Sequence, residues 1–186
     1  MAKVAIVYHS GYGHTKTQAE HVYKGAQSVA GASVQLMTSE EAIKDFEPLN
    51  AADCIIFGCP TYMGGPSAQY KSFIDAASPI WYKQGWKDKL AAGFTNSSGP
   101  SGDKLATLTQ LMINAMQHSM IWISHGVLPG IKDGELTINR LSSYSGAMSQ
   151  SPVTEQDPIA DDLRTAEVFG KRVAEVTLRW VKGREG

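Results

Sequence analysis

The chain has 186 residues, 42% of them apolar and 19% charged, which is a globular composition and enough chain for one domain to bury a full core. Lysine plus arginine is 17 and aspartate plus glutamate 18, so the net charge of -1 excludes the basic surplus of a general nucleic-acid binder and the acidity of a strongly charged docking protein. No apolar run is long enough to span a membrane, the N-terminus is too soon broken for a signal peptide, and two cysteines make no disulfide framework, so a cytoplasmic setting is expected.

The β-branched run Val4 to Tyr8, stopped by Ser10-Gly11, predicts a buried strand. Helical spacing of Ala19, Val22, Tyr23, Ala26, Val29 and Ala30 predicts a helix over 15–30, closed by Gly31. Val34 and Leu36 mark a second strand and Asp53 to Gly58 a third. A helix over 67–77 takes Ser67 as its N-cap, and Leu90 to Thr95 reads as a fourth strand. The next helix, 102–118, would bury Leu105, Leu108, Met112, Ala115 and Met116, and Met120 to Ser124 is a fifth strand. The last helix starts at Asp157-Pro158 and shows Leu163, Ala166, Phe169, Val173, Val176 and Trp180 on one face. Between them, 125–157 is rich in Gly, Ser and Pro, with Leu136 to Ile138 as a short strand; a loop this long is usually functional or an interface. Alternating strands and helices predict one α/β domain over 1–186, with five parallel strands in the order 2-1-3-4-5 and helices on both faces.

Ligands of such a sheet bind beyond the carboxyl ends of its strands, and three unusual loops stand there. Ser10-Gly11-Tyr12-Gly13-His14-Thr15 joins a strand to a helix N-terminus and reads as a phosphate cradle of amides and hydroxyls. It is neither a Walker loop nor the dinucleotide fingerprint, and a capped tight turn is the plain alternative. Pro60-Thr61-Tyr62-Met63-Gly64 is a stiff loop with a flat apolar tip, suited to a planar ring or simply to a Gly/Pro connector. Thr95-Asn96-Ser97-Ser98-Gly99-Pro100-Ser101-Gly102 is small and polar, which suits close backbone approach to a ligand and equally an ordinary linker. Trp81, Tyr82 and Trp86 form either an aromatic wall or local packing. His118 is a candidate hydrogen-bond donor to a ligand oxygen, or a helix-end residue facing the dipole. The cysteine spacing suits neither zinc nor a redox pair, so no metal site is expected.

Taken in order, the segments Lys3 to Thr15, Gly58 to Gly64 with Phe73-Ile74-Asp75, and Gly93 to Gly99 resemble the flavodoxin-like NAD(P)H:quinone oxidoreductases of the Trp-repressor-binding-protein (WrbA) type. The resemblance covers about residues 1–125 well and the final helix more loosely. It implies FMN as cofactor and NADPH or NADH as reductant, with hydride passing by way of the flavin to a quinone-like acceptor. By position, Ser10 to Thr15 would hold the phosphate, Pro60 to Gly64 the isoalloxazine, and Asn96 to Ser101 the ring edge and ribityl chain. Trp81 stands at the family's substrate-side tryptophan, Tyr12 at its nicotinamide contact and Gln117 at a flavin-contacting histidine. The family is tetrameric, which implies a homo-oligomer, dimer or tetramer. The competing readings are a flavodoxin-type electron carrier and an NAD(P)H-dependent FMN, nitro or azo reductase on the same fold. The charge balance weighs against a carrier that docks through acid surplus.

Overall fold

A computed structural model describes residues 1–132 and 135–184. The path through the sheet runs β2 (Ala32–Thr38), β1 (Ala2–Tyr8), β3 (Cys54–Tyr62), β5 (Leu90–Ser97) and β6 (Ile121–Trp122), every neighbour parallel. This is the expected doubly wound order. Two strands lie off that path. β4 (Gly65–Pro66) folds back antiparallel on β3, and β9 (Ala147–Gln150) runs parallel to the upper part of β5. The predicted fifth strand is therefore shared by two segments: β6 pairs with Leu90 and Ala91, while β9 pairs with Phe94 to Ser97. The break falls at Gly93. There the Trp122 indole occupies the space a side chain would need, and Gly146 returns so close to the Gly93 carbonyl that its own Cβ would lie 2.2 Å away. Trp122 Nε1 donates to the Ser145 carbonyl across this crossing, 2.7 Å.

Between the half-strands, β7 (Gly130–Lys132) and β8 (Glu135–Ile138) form an antiparallel hairpin, the second of which the sequence marked at 136–138. Asn139 anchors the base of the hairpin. Its amide donates to the carbonyls of Val127 and Ser143, its side-chain oxygen accepts the Ser143 N–H, and its own N–H donates to Thr165.

Helices cover both faces. On one, α1 (His14–Gln27) and α7 (Ala160–Arg184) bury Val22, Ala26, Phe169 and Val173 against Val4, Ile6 and Ile56. Glycines let their backbones touch: a Cβ on Gly170 would lie 2.0 Å from the Val22 carbonyl oxygen, and one on Gly25 1.9 Å from that of Glu167. On the other face α4 (Ala68–Ala76) and α6 (Lys104–Gln117) pack Tyr70, Phe73, Leu108 and Leu111 over Val7, Ile55 and Phe57. Short helices α2 (Ser39–Lys44), α3 (Glu47–Asn50) and α5 (Ser78–Tyr82) complete the chain.

Several local expectations change. The first helix spans 14–27, shorter than 15–30 at its end. Ser67 precedes α4 but makes no side-chain cap bond. The start of α7 is Ala160, so Pro158 lies outside the helix. The buried face of α6 is rotated: Lys104, Thr107, Leu108, Leu111 and Ala115 point inward, while Leu105 and Met116 face solvent. Trp86 separates from its aromatic neighbours and is fully buried against Phe46 and Phe57, its Nε1 donating to Asn50 Oδ1 at 2.9 Å.

Gly170→Ala is expected to destabilise the fold by roughly 2–4 kcal/mol, because overlap with backbone outweighs the gain of about 1 kcal/mol in helix propensity. Urea unfolding measures it. His118 and His125 are buried, and burial pushes both imidazoles down to about 4, with Arg172 adding to the effect at His125. The unfolded chain therefore takes up protons first. Stability is full above about pH 6.5, the unfolded histidine value, and is lost as pH falls toward 4, by up to roughly 3 kcal/mol per residue. His118→Phe and His125→Phe each flatten that profile in pH-dependent unfolding.

Candidate cofactor cleft

The carboxyl ends of β1, β3 and β5 open into a cleft of about 430 Å³, at the point where the strand order reverses. Each strand delivers one wall.

The first wall is the turn from β1 to α1. Ser10 Oγ accepts the N–H groups of Gly13 and Lys16, both at 3.1 Å, and so winds the loop around itself. Gly13 sits at φ +94°, a conformation that favours glycine, and the space beside it is open. The first-turn amides of His14 and Thr15 have no helical acceptor, so the positive end of α1 faces the cleft.

The second wall is the end of β3. Pro60, Thr61 and Tyr62 line the cleft. The loop beyond them is a hairpin and not a plain connector. Thr61 pairs with Pro66 and Tyr62 with Gly65, leaving Met63 and Gly64 as turn residues at φ 48° and 77°. Met63 is fully exposed at the tip. The Tyr62 hydroxyl rests where a side chain on Gly11 would stand, and its ring meets Tyr12 edge-on at 6.1 Å. Burial and the neighbouring Tyr12 hold the Tyr62 phenol above its usual pKa. Beneath, Thr61 Oγ1 bonds Thr95 and Thr107, each at 2.8 Å, which ties β3 to β5 and α6.

The third wall is the end of β5. Asn96, Ser97, Ser98, Gly99 and Gly102 line the cleft. Asn96 donates its amide to Ser149 Oγ (2.7 Å) and Ser151 Oγ (2.9 Å), which joins this wall to β9. Gln150 Nε2 donates to the Ser98 carbonyl, 3.2 Å. The lining carries hydroxyls, amides, a histidine and aromatic edges but no carboxylate or ammonium.

The cleft thus brings together Ser10, Tyr12, His14, Thr15, Pro60, Thr61, Tyr62, Asn96, Ser97, Ser98 and Gly99. Gly11 and Gly13 shape its first wall, and Gly64, Pro100 and Ser101 stand in the turns behind the lining. Gln117, His118 and Trp81 are not brought there within one chain. Gln117 and His118 end α6, which runs back from the carboxyl edge to the opposite end of the sheet. His118 packs on Trp86 at 4.4 Å with its Nδ1 unpartnered, and Gln84 links the carbonyls of Trp81 and Gln117. Gly102, which closes the third loop, joins the lining, and the inventory of the sequence lacked Ser151 and Val153. Ser151 and Val153 arrive through β9, for which the sequence shows no periodic signal.

A nucleotide-sized cleft without carboxylate or ammonium at the switch point of a doubly wound sheet, with a helix N-terminus on one side and aromatic edges on the other, defines a phosphate- and ring-binding α/β protein. The family model described as NADPH-dependent FMN reductase matches residues 38–130. The flavodoxin FldP of Pseudomonas aeruginosa is 40% identical over 182 residues, covering 95% of this chain and 97% of that protein. An NAD(P)H dehydrogenase (quinone) of Archaeoglobus fulgidus is 33% identical over 199 aligned residues, covering 95% and 97%. The crystal structure of a flavodoxin, WrbA-like protein from Agrobacterium tumefaciens superposes with a TM-score of 0.77 at 39% identity, covering 96% of this chain and 99% of that one. The chain belongs to this flavodoxin-like, WrbA-type family.

Thr15 is buried at the start of α1 on the cleft wall. Thr15→Glu places a carboxylate against any bound phosphate and is expected to weaken FMN binding by roughly 100-fold or more. Titration of the apoprotein with FMN measures it.

Proposed function

We propose that this protein is an FMN-dependent NAD(P)H:quinone oxidoreductase. The observation that carries the reading is the convergence of three loops on one neutral cleft beside the free amides of α1. The residues fit the cofactor. The open space at Gly13, with the backbone of 11–15 and the hydroxyl of Thr15, suits its phosphate. Thr61 and Tyr62 on one side and Asn96 to Gly99 on the other suit its ring system. FMN, when bound, supplies two-electron hydride chemistry.

The protein's own share is positioning. The bonds of Thr61 to Thr95 and Thr107, and of Asn96 to Ser149 and Ser151, fix the two walls that would hold the ring. The lining holds no carboxylate or ammonium, so acceptor protons would come from water at the mouth or from His14. Tyr12, exposed at the rim, is placed to meet an incoming nucleotide or acceptor. Trp81, Tyr82, Leu105, Met116 and Ile121 leave apolar surface exposed, and this supports a homo-oligomer, dimer or tetramer, in which a second chain brings Trp81 or the 125–157 segment toward the cleft. Buried free thiols at Cys54 and Cys59 accord with a cytoplasmic location. Among the described residues no helix is long and apolar enough to cross a membrane.

An electron-carrier reading has one kind of support, the name flavodoxin on the relative at 40% identity and on the structure at 39%. One experiment separates the two. The FMN-loaded protein is mixed with NADPH or NADH without oxygen while its visible absorbance is followed. The expected result is rapid two-electron bleaching, reversed by a quinone with no radical phase. FMN that stays oxidised with both nucleotides would identify a carrier, and failure to bind FMN would remove the cofactor assignment.

A further inference from the structure

Beneath the third wall lies a charged side chain that the lining does not reveal. Lys104, the first residue of α6, is 1% exposed. Its ammonium donates to Ser97 Oγ (2.7 Å), the Gly99 carbonyl (2.7 Å) and the Pro100 carbonyl (3.0 Å). A lysine has three protons to give, and here all are given to one loop. The loop is bent to receive them. Gly102 and Asp103 both take left-handed conformations, and a side chain on Gly102 would collide with Ser97 Oγ at 2.3 Å.

No carboxylate forms an ion pair with Lys104 among the described residues. Asp162 is the acidic group whose charge reaches it, and that carboxylate is engaged elsewhere: Arg140 at 2.8 Å and the Gln150 N–H at 2.9 Å. Lys104, Arg140 and Asp162 together leave a net positive charge behind the wall. Burying an ammonium among neutral oxygens is costly, and a leucine or methionine would fill the space without that cost. Burial pushes the amine down to about 8, with Asp162 opposing and Arg140 adding, so it is still mainly protonated at neutral pH.

We propose that Lys104 is a positioning residue for the cofactor: it clamps residues 97–100 into the cleft wall, and its buried charge favours the reduced, anionic flavin over the oxidised, neutral one. The inference rests on the FMN reading above. An unpaired charge in low-dielectric surroundings acts across a thin loop, whereas the three hydrogen bonds alone would serve both redox states equally.

The test is the midpoint potential of bound FMN in Lys104→Met and Lys104→Gln, both at pH 7. Gln keeps hydrogen-bond donors without the charge. In both variants reduced FMN is expected to lose about tenfold more affinity than oxidised FMN, a shift of about 30 mV to more negative potential for a two-electron couple. Potentials equal to native in variants that bind FMN would overturn the proposal, as would a native potential in Lys104→Gln alone. If neither variant folds, the unaltered holoprotein decides. By reciprocity the Lys104 amine must titrate at higher pH when the bound FMN is reduced, read by NMR of its Cε and Nζ. Identical titrations in the two redox states would overturn the charge. Failure of the native protein to bind FMN at all would remove the underlying reading, and is seen before any variant is made.

Discussion

The structure turns on the seam between β3 and β5. Gly58 has no side chain, and the Phe94 ring fills the space where one would stand, 2.1 Å from an ideal Cβ position. That large-into-small fit locks the register in which Gly58 faces Phe94, Cys59 faces Thr95 and Pro60 faces Asn96. Because strand pairing has no tolerance for a one-residue slip, the same fit decides which residues leave the sheet toward the ligand. Thr61 can bond Thr95 and Thr107 only in this register, and the second and third walls face each other for that reason. The cleft is thus a product of core packing beneath it, completed by the bonds that hold each loop.

Much of this was legible in the chain. Buried β-branched runs gave the strands, and their alternation with helices placed the three loops on one edge. What escaped had weaker local signals. α2 was announced by a capping box, Thr38 with Glu41, which periodicity does not register. β9 is four residues, Ala147 to Gln150, with no β-branched side chain, and it is a strand only because β5 has a free upper edge to pair with. In α6 apolar residues surround the helix, so two faces compete in the sequence. The outcome places Lys104 inside and Leu105 outside, because Lys104 alone can satisfy the carbonyls of the preceding turn. The positions of Gln117 and His118 follow from the topology itself. A helix that leaves the carboxyl edge ends at the other side of the sheet, however closely its terminal residues match a motif.

Charge is distributed in two layers. The surface that would meet a ligand is neutral, built from hydroxyls, amides and ring edges. The ions sit one residue deeper: Lys104 under the third wall and Asp162 with Arg140 behind β9. Such an arrangement keeps the contact surface shape-selective while the field within it is set from behind. It also explains why a residue-by-residue inventory of the lining understates the electrostatics of the site.

The divided edge of the sheet has an architectural consequence. β6 and β9 both hydrogen-bond to β5, one at each end, so the chain between them leaves and re-enters at two fixed points. The excursion is knotted at its base by Asn139, and its hairpin projects beyond that knot. Only the return leg carries residues into the cleft, Ser149 through Asn96 and Ser151 directly. The segment between the two junctions is therefore held to the sheet at both ends, and a designer can use those junctions to graft a new recognition element beside the cofactor site.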